Sequence, residues 1–118
     1  MLVVDDDALL RQLVGDVLTE AGYEVRAAAD AQAGLALLRA WRPDAVVLDA
    51  VLPDAGAPAF RAGQLEAPGA AGVPVLLVSA TRDEHLEALA RDLGAAAWLA
   101  KPFGIDELVA AVDHLTAR

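Results

Sequence analysis

The sequence predicts an α/β fold in which helices cover both faces of a parallel five-stranded sheet. Two observations predict it. Short runs that are apolar almost throughout alternate, five times, with stretches whose apolar residues recur at every third or fourth position. Strands that are apolar throughout are typical of a parallel sheet buried on both faces. A length of 118 residues suits one domain, 1–118, built around one core.

The ten elements follow one another in strict strand–helix order. The predicted strands cover residues 2–4, 23–28, 45–49, 73–80 and 96–100. The predicted helices cover residues 9–21, 31–41, 58–66, 83–93 and 105–115. Right-handed crossovers leave two common sheet orders for such a chain, a nucleotide-binding order and the flavodoxin-like order 2-1-3-4-5.

Glycine and proline set most of the predicted boundaries. Gly22 and Gly94 each follow a helix in the position where a left-handed residue ends it. Pro43 ends the second helix, because the residue before a proline disfavours helical geometry. The third helix has the weakest pattern: Pro58 is predicted at its first position, and Gly63 and Pro68 limit it.

Composition excludes several classes of function. A net charge of −9 disfavours direct binding to nucleic acid or to an anionic membrane. No apolar run approaches the roughly 20 residues that a membrane span requires. The absence of cysteine excludes a disulfide framework and fits a cytoplasmic protein.

Polar groups stand at the carboxyl ends of four of the five predicted strands. They are Asp5, Asp6 and Asp7 after the first strand, Asp49 at the end of the third, Ser79 at the end of the fourth and Lys101 after the fifth. Each has an ordinary structural explanation, such as a helix cap, a turn residue or a surface lysine. Parallel strands end at one edge of a sheet, however, so we expect these groups to converge.

Such a set suits phosphoryl transfer to a carboxylate. Clustered acids repel one another unless a cation lies among them, and an oxygen-only ligand set favours Mg²⁺. One carboxylate can act as the nucleophile and form an aspartyl phosphate. The metal, the lysine and the hydroxyl would then hold the three phosphoryl oxygens.

At this point the sequence resembles the receiver domain of bacterial two-component response regulators. Four segments carry the resemblance, in the family's order and spacing: LVVDDD, RPDAVVLDAVLP, VPVLLVSA and GAAAWLAKPF. The resemblance covers essentially the whole chain, and it implies the flavodoxin-like order of the sheet.

The resemblance implies a role for each matching position. Asp49 matches the phosphorylated aspartate. Asp5 and Asp6 match the acidic pair that binds Mg²⁺, with Asp6 as the direct ligand and Asp5 acting through water. Val51 matches the residue whose backbone carbonyl completes the protein ligands. Asp7 is left as the cap of the first helix.

The remaining matches form the switch. Ser79 matches the hydroxyl residue that bonds the phosphoryl group, and Trp98 matches the aromatic residue that repacks on phosphorylation. Lys101 matches the family's lysine, and its bond to Pro102 resembles the family's cis peptide.

The chain departs from the family in two places. The loop after the phosphoacceptor reads PDAGAPAF, and Asp54 in it is out of register with the usual acid. Val51 and Thr81 stand two positions after Asp49 and Ser79, and the resemblance implies that these positions flank the path of the attacking water. Neither side chain is an acid or an amide, so we expect slow self-dephosphorylation.

The function implied is a phosphorylation-dependent signalling switch rather than an enzyme. The donor would be a sensor histidine kinase or a phosphotransfer protein, and the output domain or partner would contact residues 83–118. Two alternatives stay open. One is a haloacid-dehalogenase-like phosphotransferase, which would carry a second aspartate where Val51 stands; the other is a structural or dimerisation module. A homodimer is compatible with each of these readings.

Overall fold

The computed structural model describes residues 1–52, 56–80 and 84–116. Its strands are β1 (Leu2–Val4), β2 (Arg26–Ala28), β3 (Val46–Asp49), β4 (Val75–Ser79) and β5 (Ala97–Ala100). Its helices are α1 (Ala8–Glu20), α2 (Ala31–Ala40), α3 (Gly56–Glu66), α4 (Glu84–Leu93) and α5 (Ile105–Thr116).

The five strands form one parallel sheet in the order β2-β1-β3-β4-β5. Val3 in β1 pairs with Ala27 on one side and with Val47 on the other, which fixes the register at the centre of the sheet. The predicted α/β class and the flavodoxin-like strand order are therefore confirmed.

The alternation of side chains along the strands divides the core into two layers. Leu2 and Val4 face the layer that α2, α3 and α4 cover, whereas Val3 faces the layer that α1 and α5 cover. Phe60 of α3 and Leu18 of α1 are completely buried, one in each layer. Burial on both faces explains why the central strands β1, β3 and β4 are almost wholly apolar, whereas the edge strands β2 and β5 carry exposed residues.

The second strand is shorter than the sequence predicted. The backbone N–H of Tyr23 donates to the carbonyl of Leu18, so this residue closes α1 instead of joining the sheet. The buried Tyr23 hydroxyl lies 2.5 Å from a carboxylate oxygen of Asp113 in α5. The burial of Tyr23 is therefore explained by its packing against α5 and not by the sheet. The strand β2 begins three positions later, at Arg26.

The third helix is longer than predicted. It begins at Gly56, two residues before Pro58, and continues through Gly63 to Glu66. Pro58 lies in the first turn, where a missing N–H leaves no hydrogen bond unmade. At Gly63 a Cβ atom would lie 2.6 Å from Leu35 Cδ1, so the glycine lets α2 and α3 pack closely without displacing the Leu35 side chain.

The remaining differences are small. The boundaries of β3, β4 and β5 differ from the predictions by one or two residues, which is the normal uncertainty of strand ends. The predicted start of the fourth helix at Asp83 lies outside the described residues. In the ranges that the structure describes, no helix combines the length and apolar character needed to cross a membrane.

Candidate functional site

The sheet brings the predicted carboxylates together at one edge. Asp5 follows β1 and Asp49 ends β3, and these two strands are neighbours in the sheet. A carboxylate oxygen of Asp5, one of Asp6 and one of Asp49 all lie within 4.8 Å of one another. Asp5 and Asp49 are buried and Asp6 is exposed, so the cluster opens to solvent on the side of Asp6.

Lys101 links the two buried carboxylates. Its ammonium Nζ donates to Asp5 Oδ2 at 3.0 Å and lies 3.4 Å from Asp49 Oδ1. The backbone N–H of Lys101 donates to the Ser79 carbonyl at 2.7 Å, which holds the start of the β5–α5 loop beside the end of β4. The Lys101–Pro102 peptide is cis, as the resemblance implied.

Burial dominates the electrostatics of this cluster. Desolvation and, to a smaller extent, the neighbouring Asp5 charge raise the pKa of Asp49, whereas the Val51 N–H and Lys101 lower it, and the net pKa is about 6. Burial would lower the pKa of Lys101, but the bond to Asp5 and the charge of Asp49 outweigh it, so that pKa is raised. The lysine therefore stays protonated beside its two partners.

Asp7 belongs to the helix rather than to the cluster. Its Oδ1 accepts from the backbone N–H groups of Leu9 and Leu10, at 3.0 and 3.2 Å, and so caps α1 as predicted. Its own N–H donates to Asp5 Oδ1 at 2.9 Å. The three consecutive aspartates thus have three roles: Asp5 is buried and held by hydrogen bonds, Asp6 is an exposed residue of the site, and Asp7 caps α1.

The other predicted residues lie around this cluster. The N–H of Val51 donates to Asp49 Oδ1 at 3.3 Å, and its side chain is 70% exposed. Ser79 is buried at the end of β4, next in the sheet to β3. Trp98 lies on the edge strand β5 and is 43% exposed. Thr81 and Asp54 lie outside the described residues.

The donor set fits a hard divalent cation. It consists of carboxylate oxygens, without sulfur or imidazole, and one of the three carboxylates is open to solvent. Mg²⁺ commonly keeps several waters and takes only one or two carboxylates from a protein. Asp6 and Asp49 are suited to direct ligation, because both Asp5 oxygens already accept hydrogen bonds from Lys101 and Asp7.

Comparison with known proteins decides the family. The sequence model described as "Response regulator receiver domain" matches residues 1–113. The chain belongs to the response regulator receiver domain family. Receiver domains are signalling switches rather than classical enzymes, and they generally bind Mg²⁺ at an acidic pocket.

Known relatives and structures agree with this assignment. The transcriptional regulatory protein PdtaR of Mycobacterium tuberculosis is 36% identical over all of this chain and 57% of its own length. The response regulator MprA of Mycolicibacterium vanbaalenii is 40% identical over all of this chain and 50% of its own length. The chain therefore spans about half the length of these curated relatives. The chemotaxis protein CheY4 of Vibrio cholerae superimposes with a TM-score of 0.88 at 30% identity, covering 97% of this receiver domain and 95% of that chain.

Two features of the receiver domain were missed by sequence reasoning. Arg11 of α1 donates to the backbone carbonyl of Asp5 at 2.7 Å. In addition, an apolar groove of about 360 Å³ runs between α1 and the start of α5 and reaches Lys101. Leu9, Leu13 and Ile105 line this groove with exposed side chains. The sequence signal that could have indicated the groove is the presence of Leu9 and Leu13 on the face of α1 that is expected to be polar.

Proposed function

We propose that this receiver domain accepts a phosphoryl group on Asp49 from the phosphohistidine of a sensor histidine kinase or a phosphotransfer protein. The observation that carries the proposal is the convergence of Asp5, Asp6 and Asp49 within 4.8 Å, with Lys101 bonded to the buried pair. An Asp49 oxygen would attack phosphorus, and the phosphorus–nitrogen bond of the donor would break.

The residues around Asp49 suit this reaction. Lys101 already lies 3.4 Å from an Asp49 oxygen, so its ammonium is placed to neutralise a phosphoryl oxygen there. Asp6 and Asp49, with the Val51 carbonyl, would hold Mg²⁺, and Asp5 would act through water. When bound, Mg²⁺ would supply further neutralisation of phosphoryl charge.

The surface beside the site favours a protein as donor. Leu9 is 81% exposed and Ile105 is 58% exposed, at the end of the groove that reaches Lys101. A small phosphodonor would leave these apolar side chains in water, whereas a protein that approaches Asp49 would cover them. The unusual exposure is thus explained if the natural donor is a macromolecule.

We further propose that phosphorylation is read out through the other side of the domain. Ser79 would bond the phosphoryl group and Trp98 would repack, which would bias an existing two-state equilibrium. The output domain or partner would contact residues 83–118, of which the described part holds α4, β5 and α5. We place this switch in the cytoplasm, in keeping with the absence of cysteine.

The enzymatic alternative is not favoured. A haloacid-dehalogenase-like phosphotransferase would need an acid two residues after Asp49, and Val51 stands there with an apolar, largely exposed side chain. Mg²⁺-dependent self-phosphorylation and slow autodephosphorylation are the only reactions that we assign to the chain.

Phosphoryl uptake tests the proposal directly. The protein is incubated with acetyl phosphate and Mg²⁺, and the intact mass and the modified peptide are measured. We expect one added phosphoryl group on Asp49, its absence in Asp49→Asn, and its absence when EDTA replaces Mg²⁺. A protein that stays unmodified under all conditions, or that is modified equally in Asp49→Asn, would contradict the proposal.

A further inference from the structure

We infer that Arg11 is a positioning residue of the metal site, which fixes the turn that carries Asp5 and Asp6. The inference rests on the proposed function, since it concerns the same Mg²⁺ site. Arg11 is not a ligand. It acts on the backbone between β1 and α1, through its hydrogen bond to the Asp5 carbonyl.

Asp5 is held at every polar atom, and Arg11 supplies one of the four bonds. The Asp5 N–H donates to the Ala28 carbonyl at 3.1 Å. Its Oδ1 accepts from the Asp7 N–H at 2.9 Å, and its Oδ2 accepts from Lys101 at 3.0 Å. The carbonyl of Asp5 accepts from Arg11 Nη1 at 2.7 Å, a charge-assisted bond and the shortest of the four.

The bond to the carbonyl has a particular consequence for Asp6. The Asp5 carbonyl belongs to the peptide unit that leads directly into Asp6, which is exposed. The guanidinium comes from α1, which the Asp7 cap fixes against the same turn. Arg11 thus ties the strand end to the helix and limits the rotation of the Asp5–Asp6 peptide.

Two effects of Arg11 on Mg²⁺ binding have opposite signs. As a positive charge near three carboxylates, Arg11 opposes the binding of a cation. As an anchor of the turn, it lowers the cost of holding the ligands in octahedral geometry. Removal of the guanidinium therefore raises Mg²⁺ affinity if charge dominates and lowers it if positioning dominates.

The test measures Mg²⁺ and Ca²⁺ affinities of the full chain by calorimetry at low ionic strength. We expect Arg11→Met to lower Mg²⁺ affinity about tenfold, the size of effect typical of residues that orient metal ligands. Ca²⁺ affinity should fall less, because Ca²⁺ tolerates irregular geometry whereas Mg²⁺ does not. The ratio of the two affinities separates positioning from a general loss of stability.

Two further variants act as controls. Arg39→Met removes the same charge from an exposed position in the last turn of α2, at the end of the sheet opposite the carboxyl ends of the strands. It should leave both affinities unchanged. Arg11→Lys keeps the charge but loses the planar guanidinium, and should retain the fold and lose part of the Mg²⁺ affinity. Arg11→Lys decides the question if circular dichroism shows that Arg11→Met is unfolded.

Each outcome has one meaning. If Arg11→Met binds Mg²⁺ as tightly as the parent or more tightly, the positioning role is wrong and the proposed function stands. If Arg11→Met is unfolded, the same conclusion is drawn from Arg11→Lys. An equal loss of Mg²⁺ and Ca²⁺ affinity also overturns the positioning role. If the parent itself binds no Mg²⁺, both the proposed function and the role of Arg11 fall.

Discussion

Asp49 is a buried carboxylate whose charge is costly in the absence of a metal ion. Its pKa in the folded protein is raised to about 6 by burial, whereas an aspartate in an unfolded chain titrates near 3.9. Between these two values the folded state binds more protons than the unfolded state. The Asp49 contribution to stability is therefore lost as the pH rises from about 4 to about 6.

Asp49→Asn should remove this pH dependence. In EDTA at pH 7 we expect the variant to be more stable than the parent by about 2 kcal/mol, because the amide has no charge to desolvate. At pH 4 the two proteins should differ little. Urea unfolding at a series of pH values measures the difference, and a variant less stable than the parent at pH 7 would contradict it.

Asp6 and Asp7 should respond differently to removal of their charge. Mg²⁺ should raise the melting temperature of the parent, because it binds the folded state alone. Asp6→Asn should lose most of this rise, whereas Asp7→Asn should keep it, since asparagine also caps a helix. Thermal unfolding with and without Mg²⁺ gives both answers. Loss of the Mg²⁺ effect in Asp7→Asn alone would show that the roles are divided differently.

Val51 should make the phosphorylated state long-lived. Its side chain cannot hold an attacking water by a hydrogen bond, whereas an asparagine amide can. We expect Val51→Asn to hydrolyse its aspartyl phosphate at least about tenfold faster. Decay of the phosphorylated protein is followed by mass spectrometry, with Leu65→Asn, another exposed apolar position, as control. An unchanged or slower decay in Val51→Asn is the contrary result.

At the scale of elements, two buried contacts decide where glycine is required. A Cβ atom on Gly34 of α2 would lie 2.9 Å from Val4 Cγ2 and 3.0 Å from Phe60 Cε2. A Cβ atom on Gly15 of α1 would meet its nearest neighbour at an ordinary 3.7 Å. Both glycines occupy helix interiors, where alanine is intrinsically better.

The two glycines should therefore give opposite results on substitution. Gly34→Ala should destabilise the protein by about 1–2 kcal/mol, because β1 and α3 must move away from the new methyl group. Gly15→Ala should stabilise it by about 0.5–1 kcal/mol. Denaturant unfolding of the two variants beside the parent measures both. Stabilisation by Gly34→Ala would mean that the core has room at this point.

The elements also show where sequence reasoning was accurate and where it was not. The strand–helix alternation and the class of sheet were predictable, because burial on both faces leaves a continuous apolar run in the central strands β1, β3 and β4. The start of β2 was not predictable, because Tyr23 is buried against α5 and not within the sheet. The close approach of Gly63 to Leu35 of another helix was not predictable either, because such a contact leaves no local pattern in the sequence.

At the scale of the whole molecule, the convergence of Asp5, Asp49 and Lys101 was predictable from topology alone. Parallel strands end at one edge, so polar groups at those ends meet wherever the strands lie in the sequence. The contact of Arg11 with a backbone carbonyl was not predictable, because no side-chain partner marks it. The groove beside Lys101 requires the relative placement of two helices that are distant in sequence.

The switch should be visible through one of the two tryptophans. With Mg²⁺ and beryllofluoride, we expect the fluorescence of Trp98 on β5 to change as the domain changes state. Trp41→Phe should keep the change, because Trp41 lies at the end of α2, away from β5. The Arg26 guanidinium carbon lies 4.6 Å from the centroid of the Trp41 ring. Trp98→Phe should abolish it. A change that survives in Trp98→Phe and disappears in Trp41→Phe would place the moving element elsewhere.

The ion pairs of Lys101 join residues that are far apart along the sequence. Asp5 lies near the first residue and Lys101 follows the last strand, so synthesis delivers the acids long before their countercharge. A nascent chain in which β5 has not yet left the ribosome would have to bring Asp5 and Asp49 together without the Lys101 ammonium. The site therefore gains its neutralising charge only after the fifth strand has been synthesised.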